Sequence, residues 1–285
     1  MSEGLYAVNR TELWVKRLGS GEPVVVVHGG PVLEHGYLLP HLEPLAEDYE
    51  LVFFDQRLSG RSAPEVDEGS VTLAHFVGDI EGVRRLIGRE RIHLVGHSWG
   101  GLLAMLYAIE RPDRLASLIL LDSMAASAGL WQDEQTAVAG LVSDEDKAER
   151  QAIMATEAFA QKKPEAIEKL LELSFKVQFE DPAKLAELEL YVPKDYATRS
   201  KRFGALGPEL QSFDFHEELS GVNVPVLVLY GSAEPGGPLG GAAIHEALPD
   251  SEWVEIDGAG HFPFIEQPDA FLEAVRGFLD RVEGP

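Results

Sequence analysis

The residues best placed to do chemistry lie where Ile92-His93-Leu94-Val95 runs into Gly96-His97-Ser98-Trp99-Gly100-Gly101 and then into a helical pattern. This is Gly-x-Ser-x-Gly between an apolar strand and a helix. A serine at such a corner is thrust out of the sheet, and Gly96 and Gly100 are needed where a Cβ would collide with neighbouring backbone. The expected chemistry is attack of Ser98 Oγ on a carbonyl, with the first amides of the following helix, that of Trp99 among them, facing the oxyanion so formed. A serine hydroxyl is a weak nucleophile, so a base must stand within hydrogen-bond reach. His261 fits: it follows the strand-like Trp253-Val254-Glu255-Ile256, in a loop whose Gly258 and Gly260 allow a tight turn toward the sheet edge. His28 and His97 sit in backbone turns and read as loop-stabilising. The base in turn needs a carboxylate on Nδ1 to hold its tautomer. Glu234, in the loop after PVLVLYG, is the first expectation for that role, and Asp122, at the end of SLILLD, is its rival. The second oxyanion donor is expected at Gly30, in His28-Gly29-Gly30-Pro31, where paired glycines let main chain approach a substrate closely.

These residues need a sheet to position them. The runs at 24–27, 51–54, 92–95 and 117–122 alternate with helical stretches at 72–88 and 99–111, which is the rhythm of a parallel sheet. The rhythm then stops. From Ser123 to Gly221 the chain is charged and helix-rich, with QAIMATEAFAQ, PEAIEKLLELSF and DPAKLAELEL reading as amphipathic helices. It resumes with PVLVLYG, a helix near 241–247, SEWVEI and a last helix at 269–282. The expected organisation is therefore an α/β core over 1–122 and 222–285, with an inserted α-helical cap over 123–221.

Composition narrows the partners. Of 285 residues 45% are apolar and 25% charged, enough for a dry core. There is no cysteine, which excludes disulfides, thiolate metal ligands and a cysteine nucleophile. Asp and Glu number 48 against 24 Lys and Arg, and a net charge of −24 repels nucleic acid and anionic membrane surfaces. No run of 18 apolar residues occurs and the N-terminus lacks the order of a signal peptide, so a cytoplasmic location is expected. Side chains supply nucleophile, base and acid, so neither metal nor organic cofactor is expected, and the partner is a small molecule or short peptide.

HGGP at 28–31 with His35 and Tyr37, DQRLSGRS at 55–62, GHSWGG at 96–101, G-x-x-E-x-x-x-P at 231–238 and GAGH at 258–261 together resemble the α/β-hydrolase superfamily, and in particular the proline iminopeptidase branch of serine peptidases. The resemblance spans nearly the whole chain. It implies an α/β-hydrolase fold and a mostly parallel sheet, with Ser98, His261 and Glu234 in the triad places and Gly30 and Trp99 in the oxyanion places. It further implies release of N-terminal residues, often proline, from peptides; related sequences are esterases or other acyl hydrolases, and a non-catalytic ligand-binding protein on the same scaffold is the remaining alternative. The chain departs from the pattern at Val32 and Leu58, where the family has glycine, and at Pro235, where some relatives carry a glutamate that holds the substrate ammonium. Bulky side chains at the first two positions would force a different backbone or narrow the site. Glu34 and Glu209 are the candidate replacements for the ammonium anchor.

Overall fold

The computed structural model describes residues 2–64 and 66–284. Eight strands, β1 (Ser2–Val8), β2 (Thr11–Gly19), β3 (Pro23–Val27), β4 (Glu50–Phe54), β5 (Ile92–His97), β6 (Leu115–Leu121), β7 (Val226–Gly231) and β8 (Ser251–Ile256), form one sheet in the order β1-β2-β4-β3-β5-β6-β7-β8. The first two pairings are antiparallel and the rest parallel. Every residue of β3, β4, β5 and β7 is buried, which explains their unbroken apolar runs: both faces of these strands are covered. β1 and β8 are the two edges, and on β8 the exposed Glu252 and Glu255 discourage pairing with another chain.

The β1–β2 hairpin has no counterpart among the sequence expectations. Its turn residues, Asn9 and Arg10, have φ of 45° and 65°. That is the left-handed pair a two-residue hairpin needs, made without the glycine that usually announces it.

Two apolar layers flank the sheet. Helices Leu73–Leu86 and Trp99–Glu110 pack over Val25, Val27 and Leu94 on one face. Helix Pro268–Glu283 buries Phe271, Val275, Phe278 and Leu279 over the other, and each such side chain contributes about 1.5–3 kcal/mol. Thr72 starts the first helix by accepting from the His75 amide at 3.3 Å.

Between β6 and β7 the longer elements are helices Ala128–Leu141, Asp144–Met154, Pro164–Lys176 and Tyr196–Phe203, with no named strand among the described residues. Two expected helices differ. QAIMATEAFAQ is divided, because Thr156 caps a new short helix, Glu157–Ala160, by accepting from the Phe159 amide. DPAKLAELEL forms only a 3-10 turn, Pro182–Glu187, whose leading residue Asp181 is tied to Glu266 through its amide at 2.8 Å.

Candidate active site

Ser98 closes β5 and opens helix Trp99–Glu110 with φ 54° and ψ −122°. A non-glycine residue held there costs about 1–3 kcal/mol, and the surroundings must enforce it. They do so by backbone hydrogen bonds. The Ser98 amide donates to Leu121 O at 3.0 Å, and its carbonyl accepts from Gly101 and Met124 at 2.9 and 3.0 Å. The flanking glycines are obligatory: a Cβ on Gly96 would lie 2.5 Å from Gly100 O, and one on Gly100 would lie 2.2 Å from Val27 O.

His261 stands beyond β8, its amide donating to Gln178 O at 2.8 Å. Its Nδ1 lies 3.1 Å from Glu234 Oε2. A carboxylate can only accept, so Nδ1 carries the proton and Nε2 is left as a base. Glu234 reaches this position from the turn after β7, and its other oxygen accepts from the Gly236 amide at 3.1 Å. The longer arm of Glu is thus absorbed by folding back onto its own turn. Asp122, the rival, also ends a strand close by but does not bond the imidazole; its Oδ1 accepts from the Gly231 amide at 2.9 Å and its Oδ2 has no partner.

A cavity of about 370 Å³ joins these groups, and Ser98, His261, Glu234, Gly30 and Trp99 all stand in its wall. Its apolar wall comes largely from the segment between β6 and β7, with Trp131, Val138, Leu171, Phe175 and Phe203. The Gly30 loop is braced to the Ser98 corner by Gln56, which donates to His28 O at 2.6 Å and accepts from the Trp99 indole at 2.9 Å.

The two histidines of the neighbouring turns are structural. His28 Nε2 accepts from the Gln56 amide at 3.1 Å while Nδ1 donates to Gly29 O, and burial lowers its pKa to about 4. Tyr37 Oη accepts from the Gly29 amide and donates to His97 Nδ1, each at 2.7 Å; His97 Nε2 then donates to His261 O at 3.1 Å. Burial, with His261 nearby, holds the His97 pKa well below the usual value. This neutral relay ties the Gly29-Gly30 loop to the loop of His261.

Two sequence expectations are corrected here. Glu34 and Glu209 are absent from the cavity wall. The backbone turns after HGGP, so Glu34 points away toward His35 and Arg61, 3.6 Å from each. Glu209 Oε2 accepts from the Leu73 amide at 3.2 Å, at the start of helix Leu73–Leu86. Val32 and Leu58 likewise do not line the cavity, so they do not narrow it. Both are buried with φ of 71° and 63°, so bulky side chains are held in a conformation that suits glycine.

The residue that sequence reasoning missed is Glu134. It is 6% exposed, lines the cavity, and leaves Oε1 without a partner. Burial first, and the Glu234 charge second, raise its pKa to about 8; the Ala125 and Gly240 amides lie against it and oppose the shift. A signal was available, since Trp131, Glu134, Gln135 and Val138 share one face of helix Ala128–Leu141 and all four line the cavity.

Among the described residues two groups offer donor atoms close enough for a metal, Asp122-Glu234-His261 and Glu34-His35-Asp55, each within 4.8 Å. In both, the imidazole already bonds a carboxylate, at 3.1 Å for His261–Glu234 and 2.6 Å for His35–Asp55. Among the described residues no helix is long and apolar enough to cross a membrane.

A strained serine at a strand-to-helix corner, a late histidine and an eight-stranded, mostly parallel sheet define a hydrolase architecture, and residues 22–268 match the family model described as alpha/beta hydrolase fold. The chain belongs to that family. It is 28% identical over 275 residues to a proline iminopeptidase of Clostridium botulinum, covering 92% of this chain and 91% of that relative. Among solved structures, the proline iminopeptidase-related protein of Thermus thermophilus superposes with a TM-score of 0.75 at 25% identity, covering 99% of this chain and 98% of that one. A thermophilic esterase from Thermogutta terrifontis shares the fold, with a TM-score of 0.69 at 22% identity and full coverage of both chains.

Proposed function

We propose that this hydrolase is a serine enzyme working through an acyl intermediate, and that it acts as an aminopeptidase of the proline iminopeptidase type. His261 Nε2 takes the proton of Ser98 as Oγ attacks the carbonyl of the N-terminal residue. Glu234 holds the imidazole and stabilises its charged form. The Gly30 and Trp99 amides receive the oxyanion, and His261 returns the proton to the departing amine. Water, deprotonated by the same imidazole, then releases the amino acid.

The observation that carries the peptidase reading is the buried Glu134 carboxyl in the cavity that holds Ser98, whose Oε1 has no hydrogen-bond partner in good geometry although the Ala125 and Gly240 amides lie against the group. A free N-terminus brings an ammonium that is costly to desolvate unless a carboxylate meets it. A neutral ester has no use for such a group. The apolar wall formed by Trp131, Val138 and Phe203 suits a hydrophobic first residue, proline included. The proline iminopeptidase relatives support the same reading.

The test compares an amino-acid anilide bearing a free amine with its N-acylated form and with a short-chain aryl ester. Preference for the free amine by a hundredfold or more in kcat/KM is expected. Equal or better turnover of the acylated anilide and the ester would assign a carboxylesterase instead. Failure of a fluorophosphonate to label the protein would leave the non-catalytic ligand-binding alternative.

A further inference from the structure

We propose that Asp122 is a second acid for His261, a positioning residue held in reserve behind Glu234. The inference rests on the triad reading above and goes beyond it, because that reading uses one carboxylate and the structure places two beside the imidazole. Oxygens of Asp122 and Glu234 and a ring nitrogen of His261 lie within 4.8 Å of one another. Asp122 is 1% exposed and reaches this place from the end of β6, at a backbone φ of 38° that a non-glycine residue rarely adopts. One oxygen is anchored on the Gly231 amide at 2.9 Å, which fixes the carboxyl group; the other is buried with no partner.

A buried polar atom left unpaired costs about 1–3 kcal/mol, so an anchored carboxyl with one idle oxygen beside an imidazole calls for an explanation. Two carboxylates sharing a dry site cannot both be ionised cheaply. Burial first, and then the charge of Glu234, raise the Asp122 pKa well above the ordinary range. Glu266 adds a further push in the same direction, and the Tyr230 hydroxyl, which donates to Ser123 O at 2.7 Å, stays neutral beside them. Glu134, in the same cavity wall, is also pushed toward its neutral form. The pair Asp122–Glu234 therefore holds one proton, on Asp122, while the charge sits on Glu234 against His261. When the Glu234 charge is removed, burial still opposes a charge on Asp122 but the main repulsion on it disappears, so Asp122 ionises as the imidazole becomes charged and its free oxygen takes over the stabilisation of the imidazolium.

The experiment measures kcat/KM against pH on an aryl ester, which does not depend on amine recognition, for wild type, Glu234→Gln, Asp122→Asn and the double variant. Asn at 122 keeps an acceptor for the Gly231 amide. Glu234→Gln is expected to retain between about a hundredth and a tenth of activity, against the roughly ten-thousandfold loss seen where the only acid of a triad is neutralised. Its acidic limb should move to higher pH than in wild type, because the carboxyl now in use is the more deeply buried one. Asp122→Asn alone should cost less than Glu234→Gln. Adding Asp122→Asn to Glu234→Gln should remove a further hundredfold or more. A double variant no worse than Glu234→Gln, or an unmoved acidic limb, would overturn the reserve acid alone. Should the double variant fail to fold, Glu234→Gln decides, since a ten-thousandfold loss would also overturn it. A fully active Ser98→Ala would overturn both this inference and the triad beneath it.

Discussion

Replacing Glu134 by glutamine should move stability and activity in opposite directions above about pH 6. Burial and the Glu234 charge raise the Glu134 pKa from the ordinary 4.5 to about 8. At about 1.4 kcal/mol per pH unit, ionising this group in the folded protein costs roughly 5 kcal/mol above pH 8 and nothing below pH 4.5. A raised folded-state pKa makes its contribution most favourable at low pH and withdraws it as pH rises through about 8. Glutamine abolishes that cost but gives up one acceptor oxygen facing the Ala125 and Gly240 amides, worth about 1–2 kcal/mol. The variant should therefore be slightly less stable than wild type below pH 5, equal near pH 6, and more stable by about 3 kcal/mol at pH 9. Urea unfolding at pH 5, 7 and 9 measures this. Glu134, neutral in the free protein near pH 7, ionises as the substrate ammonium reaches it, so with an aminoacyl anilide the loss of that carboxylate should cost roughly 2–4 kcal/mol, or about 30- to 1,000-fold in kcat/KM. Turnover of a neutral aryl ester should change less than threefold. A stability difference independent of pH would refute the buried, uncompensated carboxylate, and equal losses on both substrates would refute its role toward an amine.

Gly29→Ala should reduce turnover at least a hundredfold while costing about 1–3 kcal/mol of stability, because the added methyl would sit 2.9 Å from Ser98 Cβ, His97 Nδ1 and Tyr37 Oη together; wild-type kcat with a folded variant would contradict the packing. At Val32, with φ 71°, glycine should be more stable than alanine. Glycine releases about 1–3 kcal/mol of backbone strain against a similar loss of buried side chain, whereas alanine keeps the strain and loses the burial. Denaturant midpoints give the ranking, and alanine above glycine would show that the left-handed turn is not strained.

What was legible in the sequence was local. Ser98 and His261 are announced by glycines at fixed offsets, because the corners they occupy exclude a Cβ, and the fully apolar strands beside them set the sheet. Glu234 was legible by its place after β7, although only the structure shows its second oxygen turned back onto the Gly236 amide. Glu134 was hidden, because beside Asp133, the one other charged residue of its helix, a buried carboxylate looks like a solvent-facing one until the face it shares with Trp131 and Val138 is known to line a cavity. Glu34 misled for the opposite reason. Its neighbour Leu33 does line the cavity, but the Glu34 side chain is turned toward His35 and Arg61. Val32 and Leu58 suggested a changed backbone or a narrowed site; both are buried outside the cavity wall, with their backbone in the left-handed region.

The nucleophile is the claim on which everything else depends. Wild type and Ser98→Ala, both checked for folding by circular dichroism, should be treated with a fluorophosphonate, weighed intact, and assayed in parallel. One adduct is expected, on the peptide containing Ser98, in wild type only, with turnover lower by at least about three orders of magnitude in Ser98→Ala. An adduct on a different residue, equal labelling of the two proteins, or more than a tenth of wild-type turnover in the folded variant would contradict it.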